Sequence, residues 1–265
     1  MDLIGLVTKT FLAVMPAAAP AAPPARPAIV SAPLVGAPTA TAVTTATPTA
    51  SDVVDKVQAF YAGISQVTAS FRQSVTYETF GSTKISDGKL WIQKPGKMRW
   101  DYYDKKKSKV TTKKSFISNG AYLYMVEHDN KQVVKKNLQK DLMPVAVSFL
   151  YGKGDLKAEF TAELDKSGKY GEKTEVVLKL TPKKASAQYK NLILVVNPEN
   201  YRVTQSIIID SSNNVNHFRF YQPDFKASVA AKWFEFDEKS VKSYRMVDAD
   251  QQQGSGAGSA TNPMP

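Results

Sequence analysis

The chain has 265 residues, a formal net charge of +11 and no cysteine. The missing thiols exclude disulfides, thiolate metal sites, a cysteine nucleophile and a lipid-bearing cysteine of the chain's own. Eight of the 15 prolines precede Thr49, so the overall apolar content overstates the core. What remains is about 200 residues rich in Tyr, Phe, Val and Thr, enough for one all-β or α+β unit.

Residues 1–19 read as a signal peptide: Lys9 precedes Phe11-Leu12-Ala13-Val14-Met15, and Ala17 and Ala19 follow in an A-x-A-like pattern. Asp2 and the brevity of the apolar run depart from that pattern. No stretch reaches the roughly 18 apolar residues that a membrane-spanning helix needs. Residues 20–50 are Pro, Ala and Thr with a single charge, Arg26, and form a linker that cannot bury enough apolar surface to offset its ordering. The folded domain is expected over residues 51–248 and a disordered Gln/Gly/Ser/Ala tail over 249–265.

The domain opens with a helix. Asp52 can cap it, and Val53, Val54, Val57, Phe60, Tyr61 and Ile64 recur on one face. The period then changes to two: Ala69, Phe71, Val75 and Tyr77 alternate with polar residues, as in a half-buried strand. Met98-Trp100-Tyr102, Ala158-Phe160-Ala162-Leu164, Val176-Leu178-Leu180, Leu192-Leu194-Val196 and Phe218-Phe220 repeat the alternation. Asn119-Gly120 predicts a two-residue hairpin turn, and Pro95-Gly96, Ser167-Gly168 and Asn213-Asn214 mark others. One nearly all-apolar stretch, 142–150, reads as a short helix with Pro144 in its first turn and a glycine stop at Gly152 or Gly154. The expected fold is mainly β: an unclosed antiparallel barrel of about ten to eleven strands, with an N-terminal helix and a helical lid over its open side.

The chemistry of catalysis is poorly represented. His128 and His217 are lone residues with no metal-ligand spacing, and no G-x-S-x-G elbow occurs. The reading is of a protein that is not an enzyme and needs no cofactor and no metal. Lysines cluster at 105–109, 113–114, 135–136 and 183–184, beside turns, where they discourage edge-to-edge strand pairing. Nucleic-acid binding would need lysines and aromatics on one strand face, whereas here the aromatics alternate inward, so nucleic acid is not expected as a partner.

A series of motifs carries a resemblance. Phe71-Arg72-Gln73 is followed by Gly88-Lys89-Leu90-Trp91-Ile92, Lys94-Pro95-Gly96-Lys97-Met98-Arg99-Trp100-Asp101-Tyr102 and Ser118-Asn119-Gly120-Ala121-Tyr122-Leu123-Tyr124. Leu180-Thr181-Pro182, Phe218-Arg219-Phe220 and Phe234-Glu235-Phe236 complete it. In this order they resemble the outer-membrane lipoprotein carrier family of Gram-negative bacteria. The resemblance implies a monomeric periplasmic chaperone. It would take acylated lipoproteins from an inner-membrane lipoprotein-releasing transporter, shield their acyl chains, and deliver them to an outer-membrane lipoprotein receptor. Relatives of the fold that bind or sense other lipids form the alternative.

An acyl chain offers only hydrophobic transfer and dispersion, so its container needs apolar area with few polar commitments. The expected acyl-chain cavity comprises Phe71, Val75, Tyr77, Leu90, Ile92, Met98, Trp100, Tyr102, Tyr122 and Tyr124 from the early strands. The later strands add Leu178, Leu192, Leu194, Ile207, Ile209 and Phe218. Leu142, Met143, Val145, Ala146, Phe149 and Leu150 would form the lid. Lys94 stands where the family usually has an arginine that latches the lid, and a rotating ammonium replaces that planar fork of donors.

Overall fold

The computed structural model describes residues 48–106, 109–138, 155–186 and 189–252. The signal segment, nearly all of the linker, the lid residues and most of the tail lie outside them.

Helix α1 spans Ala50–Ala62. Its N-cap is Thr49, one turn earlier than the sequence reading placed it. Thr49 Oγ1 accepts the Asp52 N–H (3.2 Å), and Asp52 Oδ2 accepts the Thr49 N–H (3.0 Å). Asp52 is thus the returning half of a capping box, which satisfies two end donors reciprocally. That hydrogen bonding holds its carboxyl below the usual range. Val53, Val54, Val57 and Tyr61 form the buried face of the helix.

Twelve described strands follow: β1 (Gln66–Tyr77), β2 (Ser82–Gln93), β3 (Lys97–Lys106), β4 (Lys109–Asn119), β5 (Tyr122–Glu127) and β6 (Gln132–Asn137). After them come β7 (Phe160–Leu164), β8 (Val176–Pro182), β9 (Asn191–Val196), β10 (Val203–Ile209), β11 (Val215–Asp224) and β12 (Arg245–Asp248). Short helices α2 (Leu156–Glu159) and α3 (Ala249–Gln252) precede β7 and end the described chain. All twelve strands form one sheet in the order β12-β6-β5-β4-β3-β2-β1-β11-β10-β9-β8-β7, and its two ends do not pair. The fold is therefore the expected unclosed, mainly antiparallel sheet, with β12 as an added parallel edge on β6.

One apolar cluster runs without a break from Val134 on β6 to Phe160 on β7, with the inner face of α1 inside it. Residues at opposite edges can share one core only if the sheet curls, so α1 lies on the concave side. The convex side carries two smaller clusters. Ile117, Val126, Val133 and Val241 form one, and Val177, Ile193, Val195 and Ile207 form the other.

Local departures from the expected elements have simple causes. Ala158 belongs to α2, because Asp155 Oδ1 caps a helical turn by accepting the N–H groups of Lys157 and Ala158 (2.8 and 3.3 Å). The β4–β5 loop is Gly120-Ala121, one residue later than expected. Asn119 stays in β4, where its Oδ1 accepts from Ala121 and Tyr122, and Gly120 takes the positive φ of 98°. That conformation favours glycine.

Candidate functional site

The concave face is built on an aromatic row. Phe71 on β1 lies 5.0 Å from the rings of both Trp100 and Tyr102 on β3, and 5.9 Å from Phe218 on β11. Tyr102 continues to Phe116 at 5.7 Å, while Trp100 and Phe218 continue to Phe220. Tilted and edge-to-face contacts of this kind add about 0.5–1.5 kcal/mol each beyond the area they bury.

Gly88 makes the row possible. It sits on β2 between Phe71 of β1 and Tyr102 of β3 in the strand register. A Cβ there would come within 2.7 Å of Phe71 Cε1 and would strike the Asp101 carbonyl oxygen. Glycine therefore leaves the floor open for the Phe71 ring to cross the strand and reach its neighbours. One polar pair is let into this face: Gln73 Nε2 donates to Asn216 Oδ1 at 2.8 Å, both buried. The bond satisfies one donor and one acceptor of the two amides, which offsets part of the cost of their burial.

Ten of the sixteen expected cavity residues meet in this one cluster: Phe71, Leu90, Ile92, Met98, Trp100, Tyr102, Leu178, Leu192, Leu194 and Phe218. Val75 and Tyr77 lie half-buried toward the β1–β2 turn. Tyr122 and Tyr124 do not join the cluster. Leu123 and Met125 hold the inward positions of β5, so both tyrosines point the other way, and Tyr124 stacks on Phe236 at 4.5 Å. Ile207 and Ile209 are likewise on the convex side. A register shift between Val203 and Gln205 changes the inward phase of β10, so that Ile208 shares the concave face with Val203. Sequence alternation did not single out Leu123, Met125, Ile208 or Phe116, because it gives the period of a strand and not which phase faces inward.

α1 covers the concave face and is held by contacts at its ends and exposed side. The Tyr61 hydroxyl accepts the Val203 N–H at 3.2 Å, and burial pushes that phenol's pKa well up. Gln58 Oε1 accepts the Leu156 N–H at 2.6 Å, and Lys157 pairs with Asp55 at 2.5 Å. Lys94 donates its ammonium to the Tyr61 carbonyl oxygen, an end carbonyl of α1. The expected latch residue therefore touches the helix, and the lid segment it was expected to hold lies outside the described residues. Burial lowers the Lys94 pKa.

The convex face is closed by the chain itself. After β11 the backbone crosses beneath the sheet to reach β6 as β12. Trp233 packs edge-on against Trp91 (5.3 Å) and under the Arg99 guanidinium (4.4 Å). Arg99 also pairs with buried Asp101, which accepts from Ser115 Oγ at 2.7 Å. A shallow pocket of about 320 Å³ lies here, lined by Lys89, Trp91, Asp224, Lys232 and Trp233 among others. It is separate from the aromatic row.

An open, curled antiparallel sheet with a helix laid over an aromatic concave face is the architecture of a container for apolar ligands. The model of the family "Outer membrane lipoprotein carrier protein LolA" matches residues 62–237, and the chain belongs to that family. The outer-membrane lipoprotein carrier protein of Chromobacterium violaceum is 25% identical over 191 residues, 72% of this chain and 86% of the relative. That of Methylobacillus flagellatus is 27% identical over 110 residues, 42% of this chain and about half (51%) of the relative. A LolA superfamily protein from Nitrosomonas europaea aligns over 72% of this chain and 99% of its own, at 11% identity and a TM-score of 0.39, too loose a likeness to carry an argument. Among the described residues no helix is long and apolar enough to cross a membrane.

Proposed function

We propose that the chain is a periplasmic carrier. It would receive acylated lipoproteins from an inner-membrane transporter, hold their acyl chains on the concave face, and deliver them to an outer-membrane receptor. Residues 1–19 would direct export, residues 20–50 would form a linker ahead of the carrier domain 51–248, and residues 142–150 would act as a lid. The observation that carries the reading is the aromatic row beneath a cover made by one amphipathic helix, within a chain of the carrier family.

The energetics favour exchange of the helix for cargo. Burying one methylene contributes about 0.8 kcal/mol, so a 16-carbon chain represents on the order of 12 kcal/mol. The four fully buried side chains of α1 are each worth about 1.5–3 kcal/mol, a total of similar size. An incoming chain can therefore offset displacement of the helix, and the returning helix can offset loss of the chain. Cargo can then leave without an energy source. Exposed anchors such as the Lys157–Asp55 pair add at most about 1 kcal/mol and do not oppose this exchange.

The test is native mass spectrometry of the full chain after incubation with membranes holding lipoproteins and their releasing transporter. A soluble one-to-one complex with an acylated lipoprotein is expected. Recovery of free lipid alone, or of the empty protein, contradicts the carrier role.

A further inference from the structure

The aromatic row ends at a lysine. Lys114 on β4 stands in register between Tyr102 of β3 and Glu127 of β5, two residues from Phe116 on the same face. Its Nζ lies 5.0 Å from the Tyr102 ring centroid and 5.1 Å from that of Phe116. Ring quadrupoles attract a cation at this distance but do not replace an anionic partner.

Neighbouring acids make their direct contacts elsewhere, and Glu127 acts on Lys114 only through space. Glu127 accepts from Asn130 Nδ2 at 2.7 Å, and Asp129 pairs with Lys113 at 3.1 Å. Lys114 itself has no hydrogen bond or ion pair among the described residues. Lys94, another half-buried lysine, is satisfied by a carbonyl oxygen. Burial depresses the Lys114 pKa, Glu127 works against that, and the nearby Lys84 and Lys113 charges add to it. An unpaired cation withdrawn from water is costly, and an incoming anion would relieve that cost.

We propose that Lys114 receives the anionic head of an acyl ligand whose chain runs along Tyr102, Phe71 and Trp100. Among free amphiphiles the concave face then prefers those carrying a carboxylate or a phosphate over neutral ones of equal length, while the ester- or amide-linked chains of a lipoprotein would lie along the aromatic row without this contact. This rests on the acyl-binding reading proposed above, and extends it from apolar chains to the chemistry of the head.

The test measures binding of hexadecanoate and of hexadecanol to the full chain by tryptophan fluorescence titration. The parent chain should bind hexadecanoate about tenfold more tightly, the scale of one charge-assisted contact. Lys114→Met should erase the preference while leaving hexadecanol affinity within about twofold, and Lys114→Arg should keep it. A matched pair, dipalmitoyl phosphatidylglycerol and dipalmitoylglycerol, separates a phosphate head from a carboxylate head by which pair shows the Lys114-dependent preference. Hexadecanol binding with no preference in either pair, or a preference that survives Lys114→Met, overturns the Lys114 assignment alone. Failure of the parent chain to bind any of these ligands overturns the acyl-binding reading and the assignment with it.

Discussion

The two faces of the sheet are both apolar, yet they are covered in different ways. The convex face is sealed by backbone that continues covalently from β11, pairs with β6 as β12, and is fixed by Arg99 and Trp233. The concave face is covered by α1, whose buried contacts are side chains and whose polar anchors are few. A cover that is part of the sheet's own hydrogen-bond ladder cannot leave without unfolding. An amphipathic helix held by packing can be exchanged for another apolar object of similar area. The difference separates a structural face from the face proposed to bind cargo.

The largest effect expected is from Phe71→Ala. Phe71 joins three strands through its ring contacts and is 2% exposed, so truncation should cost about 3–5 kcal/mol in urea denaturation and should also weaken acyl binding. Trp233→Ala on the other face should cost only about 1–2 kcal/mol, since the ring is 39% exposed, and should leave acyl binding unchanged. Equal binding defects in both variants would erase the distinction between the faces. Lys94→Leu removes the ammonium from the Tyr61 carbonyl, loosens α1 on the concave face, and should speed acyl-ligand association several-fold, read by stopped-flow mixing. An unchanged on-rate would show that Lys94 does not restrain α1.

The smallest effect concerns pH. Burial on the convex side pushes the His217 pKa down to about 4, where its Nε2 lies 2.8 Å from Gln205 Oε1. The unfolded chain binds this proton near pH 6.5 and the folded chain does not. His217 therefore favours folding fully above pH 6.5, and that contribution is lost as pH falls from 6.5 toward 4. Burial lowers the His128 pKa as well, so it acts in the same sense. Asp52 and Asp87, held low by Thr49 and Arg72, act only below the ordinary carboxylate range. Urea midpoints should fall between pH 7 and 4.5, and His217→Gln should flatten part of that slope. An identical slope in the variant would rule His217 out as its source.

Much of the fold is written in simple periods. The helical spacing of Val53, Val54, Val57 and Tyr61 and the alternation of Met98, Trp100 and Tyr102 point to the buried faces seen in the structure. What alternation cannot reveal is phase. Tyr122 and Tyr124 alternate with Leu123 and Met125 along β5, both pairs carry large apolar bodies, and the pairing with β4 sets which pair turns inward. The β10 irregularity hides Ile208 behind Ile207 and Ile209 in the same way. The segment between β11 and β12 carries no period, because it is shaped by contacts with Trp91, Arg99 and Tyr124, all distant in sequence. Lys114 reads in the sequence as one more charge in a basic cluster. Its place at the end of the aromatic row depends on the β3–β4 register.

The three tryptophans allow the central claim to be tested directly, because Trp100 lies on the concave face while Trp91 and Trp233 lie together on the convex face. Two variants, Trp91→Phe/Trp233→Phe and Trp100→Phe, would be titrated with a dibrominated fatty acid that quenches indole emission on contact. Strong quenching of Trp100 with little effect on the convex pair is the predicted result. Quenching confined to Trp91 and Trp233 would place the ligand in the convex pocket and contradict acyl binding on the concave face.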